Sequence, residues 1–306
     1  MRAAWALVVF VFFLFQWKNV SLYYSDTGII TPDTAHEIFR STYWFTVFSF
    51  VQSPEAVWNL YLFFLGALFL MMLGIFPRLT TVISVLLLFS FHERNTLILG
   101  GGDTLLRNIG FILMIAPSID AFSVKRWMMQ KMSFTKTKSL LPPLTMPQWP
   151  YRLLLWQMIV LYGTSLWYKL LGSMWIRGTA VQVTLHHPFF VRFNPSHLNF
   201  LMPLAPLIDW LSLLFEVLWI FLLFPRWLTD LLPPQLPRFP LKRILLIAGL
   251  FFHGGILILM DAGSFSLAIF VAYLGLLRED DIEWITSVFP HLKKLPERTM
   301  RSVFKK

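Results

Sequence analysis

Between Glu55 and Arg78 the chain reads AVWNLYLFFLGALFLMMLGIFP, residues 56–77 without one charged side chain. A helix needs about 20 apolar residues to cross a hydrocarbon core about 30 Å thick. Only a segment that satisfies its own backbone hydrogen bonds is stable at that depth. The run is therefore expected to be a membrane-spanning helix. Comparable runs recur along the chain and predict an all-α, polytopic transmembrane helical bundle of about eight spans. They lie near 3–17, 56–77, 79–92, 104–121, 151–171, 204–224, 243–260 and 262–277. The aromatic stretch STYWFTVFSFVQ at 41–52 is too short to cross and is expected to lie as an interfacial helix. Charged residues make up only 14% of the chain, against about 25% in a soluble domain. A single membrane domain over 1–306 is expected, ending in a basic tail at 278–306.

The basic residues orient this bundle. Lys125, Arg126, Lys131, Lys136, Lys138, Arg238, Lys242, Lys293 and Lys294 fall in the connections on one side, with the N-terminus and the tail. Lys and Arg collect on the cytoplasmic side of short loops, so both termini are expected in the cytoplasm. The net charge of +10 then belongs to loops facing anionic headgroups; no soluble basic module points to nucleic acid. Residues 3–17 follow Arg2, and no small-x-small cleavage site comes after them, as a retained signal anchor would have it. An integral, multi-pass protein of the plasma (inner) membrane is the expected setting. The chain has no cysteine, which excludes disulfides, thiolate metal sites and a cysteine nucleophile.

Polar residues at membrane depth are costly and are functional candidates by default. Lys169 lies near the outer end of the fifth expected span, Glu216 inside the sixth and His253 inside the seventh. Lys169 reads either as an anchor that snorkels to the interface or as a buried amine. Glu216 has Arg107 or Lys169 as candidate partners. The block LILGGGDTLLRNIGF at 97–111 lacks the Lys-Ser/Thr pair of a P-loop. It is expected where the chain returns into the membrane from outside, with Asp103 capping the fourth helix and pairing with Arg107 four residues on. The glycines Gly101 and Gly102 would let backbone or ligand approach closely, and Gly254 and Gly255 would permit close helix contact beside His253. The pair His186-His187 lacks further ligands at metal spacing, so no metal is expected. The same ionisable residues also suit a transporter or accessory subunit with a polar relay, and a purely structural scaffold.

Four blocks carry a resemblance. They are LYYSDTGIITP at 22–32 and the G-x-x-x-R, H-x-R-N and G-G-D-x-L-L-R elements within 73–123. The third is LYGTSLWYKLLGSMWIRGTAVQ at 161–182, and the fourth LFFHGGILILMDAGSFSLAIFVAYLGLL at 250–277. Together they resemble the HTTM proteins, the membrane-domain family that includes vitamin K-dependent γ-carboxylase. The resemblance implies a chamber facing the exoplasmic side and an enzyme related to carboxylase or epoxidase chemistry. Its cofactor would be a reduced, vitamin K-like quinone, with membrane lipid or a secreted peptide as partner or substrate in peptide maturation. Lys169 matches the family's base, with Asp103, Arg107 and His253 as further catalytic candidates and Gly101, Gly102 and Trp175 as cofactor-binding ones. Asp103 stands near the place where the carboxylase has a histidine, and the chain stops after its last span without the carboxylase's exoplasmic domain. A quinone-linked or other lysine-based membrane reaction is accordingly expected ahead of peptide carboxylation itself. A neutral amine in an apolar site is what a general base requires.

Overall fold

The computed structural model describes residues 1–38, 46–117, 147–223 and 240–289, with residue 124. Most of the two long basic connections, residues 39–45 and the C-terminal 290–306 lie outside the described residues. Among those described the chain is helical, and its one β-type contact is an isolated antiparallel bridge between Val191 and Met260. Among the described residues three helices are long and apolar enough to cross a membrane: Pro54–Leu73, Pro195–Leu223 and Leu241–Leu259. A fourth crossing forms if Arg2–Phe15 and Trp17–Tyr24, bent by 55° at their junction, act as one. The chain divides into two compact units, residues 1–150 with 277–306, and residues 151–276.

The first unit gathers α1 (Arg2–Phe15), α2 (Val20–Tyr24), α3 (Pro32–Ile38), α4 (Pro54–Leu73), α5 (Pro77–Arg94) and α6 (Gly101–Ile115). Ser53 caps α4, its hydroxyl accepting from the Ala56 amide, and Pro54 sits where a helix needs no amide donor. The expected span to residue 77 ends early because Gly74 turns into the left-handed region (φ 69°, ψ 34°), which only glycine enters freely. Pro77 then begins α5. This helix covers the expected 79–92 span but buries Thr80, Thr81, Ser84, Ser90 and His92, polar residues that reduce its apolar character. The expected interfacial helix at 41–52 is not formed over residues 46–52. There a single 3-10 turn, Val47–Ser49, carries Phe48 inward to stack on Tyr24 and meet Phe91 edge to face.

Aromatic packing fills this unit's core. Phe91 lies within 5.3 Å, centroid to centroid, of Phe13, Tyr24, Phe48 and Phe64. Edge-to-face and offset pairs of this kind add to simple burial. The Trp5 indole N–H donates to the Leu106 carbonyl at 2.8 Å, which ties α1 to α6. The H-x-R-N block and the 22–32 block, remote in sequence, bind each other: Arg94 donates to the carbonyls of Ser25 and Ile30, and Asn95 to that of Tyr23.

The second unit contains α7 (Trp149–Leu171), the short α8 (Ser173–Arg177) and α9 (Ala180–His186), α10 (Ala205–Ile220) after a 3-10 segment Pro195–Leu204, α11 (Leu241–Leu259) and α12 (Phe265–Leu276). The first unit is completed by α13 (Glu279–Val288). On α7, Tyr162, Ser165 and Lys169 recur at helical spacing and so share one face. On α10, Asp209, Ser212, Glu216 and Trp219 do the same, and all four are buried. The outward face of α10 is apolar, with Leu207, Trp210, Leu211 and Leu214 exposed.

Candidate functional site

The polar faces of α7 and α10 meet in a seam, where the second unit's chemistry lies. The Lys169 ammonium is 2.8 Å from Glu216 Oε1 and donates to Ser212 Oγ at 2.6 Å. Ser165 Oγ donates to the same Glu216 oxygen at 2.8 Å. The Lys169 side chain is 13% exposed and that of Glu216 3%, so the amine turns inward to a carboxylate, unlike an interfacial anchor. Of the two partners expected for Glu216, Lys169 is the one it meets. Lys169 Nζ also stands 3.9 Å from the centre of the Trp175 ring, a cation–π contact strengthened by low hydration.

Behind the pair runs a second polar chain. The Tyr162 hydroxyl is 2.9 Å from His253 Nε2 and 2.6 Å from the Tyr273 hydroxyl, while its ring stacks on Trp219 at 4.8 Å. Gly249 makes room for it: a Cβ there would come within 2.0 Å of the Tyr273 oxygen. The close-contact glycine on α11 is thus Gly249. Gly254 and Gly255, where close helix contact was expected, face open space. Several buried atoms in this unit have no hydrogen-bond partner among the described residues: Asp209 Oδ2, Glu216 Oε2, Trp219 Nε1, His253 Nδ1 and Ser266 Oγ. A buried polar atom left unpaired costs about 1–3 kcal/mol.

Trp175 joins this seam to an open cavity. The cavity measures about 370 Å³ and is lined by Tyr168, Gly172, Trp175, Val183, His187 and Phe190, among others. Its walls are held on α10. Asp209 Oδ1 accepts from the Val181 amide at 3.0 Å, at the start of α9, and the Trp210 indole donates to the Ile176 carbonyl at 3.1 Å.

The other candidates belong to the first unit. Asp103 occupies the first turn of α6 and its Oδ2 accepts from the Gly100 amide at 2.8 Å, a cap as expected. Arg107 does not take Asp103 as its ion-pair partner; it binds Glu93 at the end of α5 and covers the Phe89 ring at 4.6 Å. Gly101 is exposed and Gly102 buried at the start of α6. The positive-φ glycines are Gly74, Gly178 and Gly263, so the GGG block itself adopts no left-handed turn. The cavity beside Asp103, which Gln16, Tyr24 and His92 also line, measures about 20 Å³, room for about one water molecule.

Sequence reading passed over Asp209, Ser212 and Tyr273 and gave Ser165 and Tyr162 no role of their own. The signal was available: the spacings 162/165/169 and 209/212/216 each repeat at three or four residues, which puts them on single helix faces. No family model, no curated protein and no solved structure matches this chain.

Proposed function

We propose that this is a multi-pass membrane enzyme in which Lys169 serves as a general base toward a lipid-soluble, quinone-like substrate or a secreted peptide. The single observation that carries this reading is the inward-facing Lys169 amine, paired with Glu216 and Ser212 and separated from an open cavity by Trp175. A base acts on a substrate proton only if the amine can be released from its own proton in a dry site, and the seam supplies a carboxylate for that exchange. The apolar walls of the cavity suit the ring of a lipid-soluble molecule. Resemblance to the HTTM proteins supplies the substrate class. Asp103, Arg107 and Glu93 stabilise the first unit in this reading, and His253 holds Tyr162.

The test is oxidation of a reduced vitamin K-type quinol by the purified protein in air. Wild type is expected to accelerate it, and Lys169→Arg to abolish the acceleration while inserting normally, because guanidinium does not deprotonate near neutral pH. Full acceleration in the arginine variant would sink the base assignment. A second reading, a transporter or accessory subunit with a polar relay, draws on the buried Tyr162–His253–Tyr273 chain. It predicts proton flux across vesicles without quinol turnover.

In the proposed arrangement eight spans place both termini in the cytoplasm of the plasma membrane and the cavity on the outer side. The chain has no cysteine, so introduced thiols report their side cleanly. A membrane-impermeant thiol reagent is expected to label Ser196→Cys in intact cells and to miss Thr135→Cys. The reverse pattern inverts the orientation.

A further inference from the structure

We infer that Glu216 is the proton acceptor of Lys169, so that the pair exchanges one proton along its shared hydrogen bond. This rests on the lysine-base reading for its purpose, though not for its geometry. In one form of the pair the proton sits on nitrogen, as ammonium against carboxylate. Moving it to Glu216 Oε1 breaks one N–H bond and forms one O–H bond, giving a neutral amine against a carboxylic acid. No charge leaves the pair, and no other reactant is needed. The neutral amine can then take a proton from a substrate.

Three features favour this exchange. The first is distance: nitrogen and oxygen are 2.8 Å apart, one ordinary hydrogen bond. The second is the uneven surroundings of the carboxylate. Lys169 and Ser165 both converge on Oε1, while Oε2 is buried without a partner among the described residues. A full carboxylate demands donors at both oxygens. An acid protonated at Oε1 leaves Oε2 as a neutral carbonyl, whose demand is weaker, so the orphaned oxygen narrows the gap between the two forms. The third is burial: in an apolar setting an ion pair loses the solvation that would otherwise hold its charges apart.

The surrounding groups set the balance. Ser212 accepts from Lys169 Nζ at 2.6 Å, and an amine keeps N–H donors for it in either state. Trp175 favours the ammonium through its ring face. The other titratable groups in the buried seam are Tyr162 on α7, Asp209 on α10, His253 on α11 and Tyr273 on α12. Asp209 is engaged with the Val181 amide, and the remaining three with one another.

The experiment is infrared difference spectroscopy of the full chain in lipid nanodiscs, titrated through the neutral and alkaline range in H₂O and D₂O. Wild type is expected to show a protonated-carboxyl stretch that shifts in D₂O. Glu216→Gln should remove the band. Lys169→Met should at least double it, since the proton is then no longer shared. If Glu216→Gln fails to insert, Glu216→Asp keeps a carboxyl and should move the band. A wild-type spectrum without the band, or a band indifferent to substitution at Glu216, overturns the inference. The two readings fail separately: a missing band with quinol turnover lost in Lys169→Arg removes only the acceptor. A Glu216 band with turnover retained in Lys169→Arg removes only the base.

Discussion

Lys169→Met is expected to lower the stability of the second unit by about 3–5 kcal/mol, the usual result of removing one partner from a buried ion pair. The loss is not the worth of the attraction. It is the cost of leaving Glu216, whose side chain is 3% exposed, charged without a partner or protonated against its preference. Replacing both partners, as Lys169→Met with Glu216→Leu, should therefore recover most of the loss, because two apolar side chains of similar volume carry no desolvation penalty. Ser165 and Ser212 lose their partners in that double variant, but helical hydroxyls readily turn to the carbonyl one turn back. Reversible unfolding in mixed micelles would measure each corner of this cycle. A single-variant loss below about 1 kcal/mol would mark the pair as water-exposed, since such pairs are worth no more.

This thermodynamic weight bears on why the pair is there. An ion pair that apolar residues could replace at no loss is not retained for stability. Preserved stability with lost quinol oxidation in the double variant would join the two findings.

Helix existence was legible because apolar runs and polar gaps are properties of composition along the chain. The runs at 56–77, 204–224 and 243–260 correspond to the three helices long and apolar enough to cross a membrane. Helix ends were less legible: Gly74 and Pro77 stop and restart the chain inside one apolar run. Phe48 shows a different failure. An aromatic stretch looks interfacial by composition, yet this side chain is buried, stacked on Tyr24 and edge to face with Phe91. Partner choice was the hardest part. Spacing places Asp103 and Arg107 on one helix face, but Glu93 arrives from a different helix, and a carboxylate already engaged in capping competes poorly. Lys169 and Glu216 were legible as costly residues, while the hydroxyls that complete their site gave no compositional signal.

Arg94→Ala is expected to cost the first unit about 3–6 kcal/mol, from two charge-assisted hydrogen bonds at about 1.5–3 kcal/mol each. The guanidinium, 2% exposed, sends one nitrogen to the Ser25 carbonyl at 2.6 Å and to the Ile30 carbonyl at 2.7 Å. Both carbonyls lie in the 22–32 segment, whose other ties to the unit include Asn95 to the Tyr23 carbonyl at 3.1 Å, Asp26 to the Gln52 carbonyl at 2.9 Å and the Tyr24 ring against Phe48 and Phe91. Two effects oppose each other on substitution. Burying a guanidinium is itself expensive, so its removal returns some free energy. Against that, the Ile30 carbonyl loses its side-chain donor, the Ser25 carbonyl keeps only the Gly28 amide at 3.2 Å, and alanine leaves a hole where the side chain lay. Arg94→Met fills the hole and escapes the charge but still takes the guanidinium donor from both carbonyls, so its loss should fall below that of alanine without vanishing. Lysine keeps a charge that can donate to both carbonyls from one nitrogen, but its more strongly hydrated ammonium costs more to bury, which places it between the two. Hydrogen exchange read by mass spectrometry would locate the effect. Residues 22–32 should lose protection in all three variants, most in alanine, less in lysine and least in methionine, while the core of residues 151–276 keeps its own. Unchanged protection of 22–32 in Arg94→Ala would show that the segment holds itself, and the side chain would then lose its role as the clamp between the two blocks.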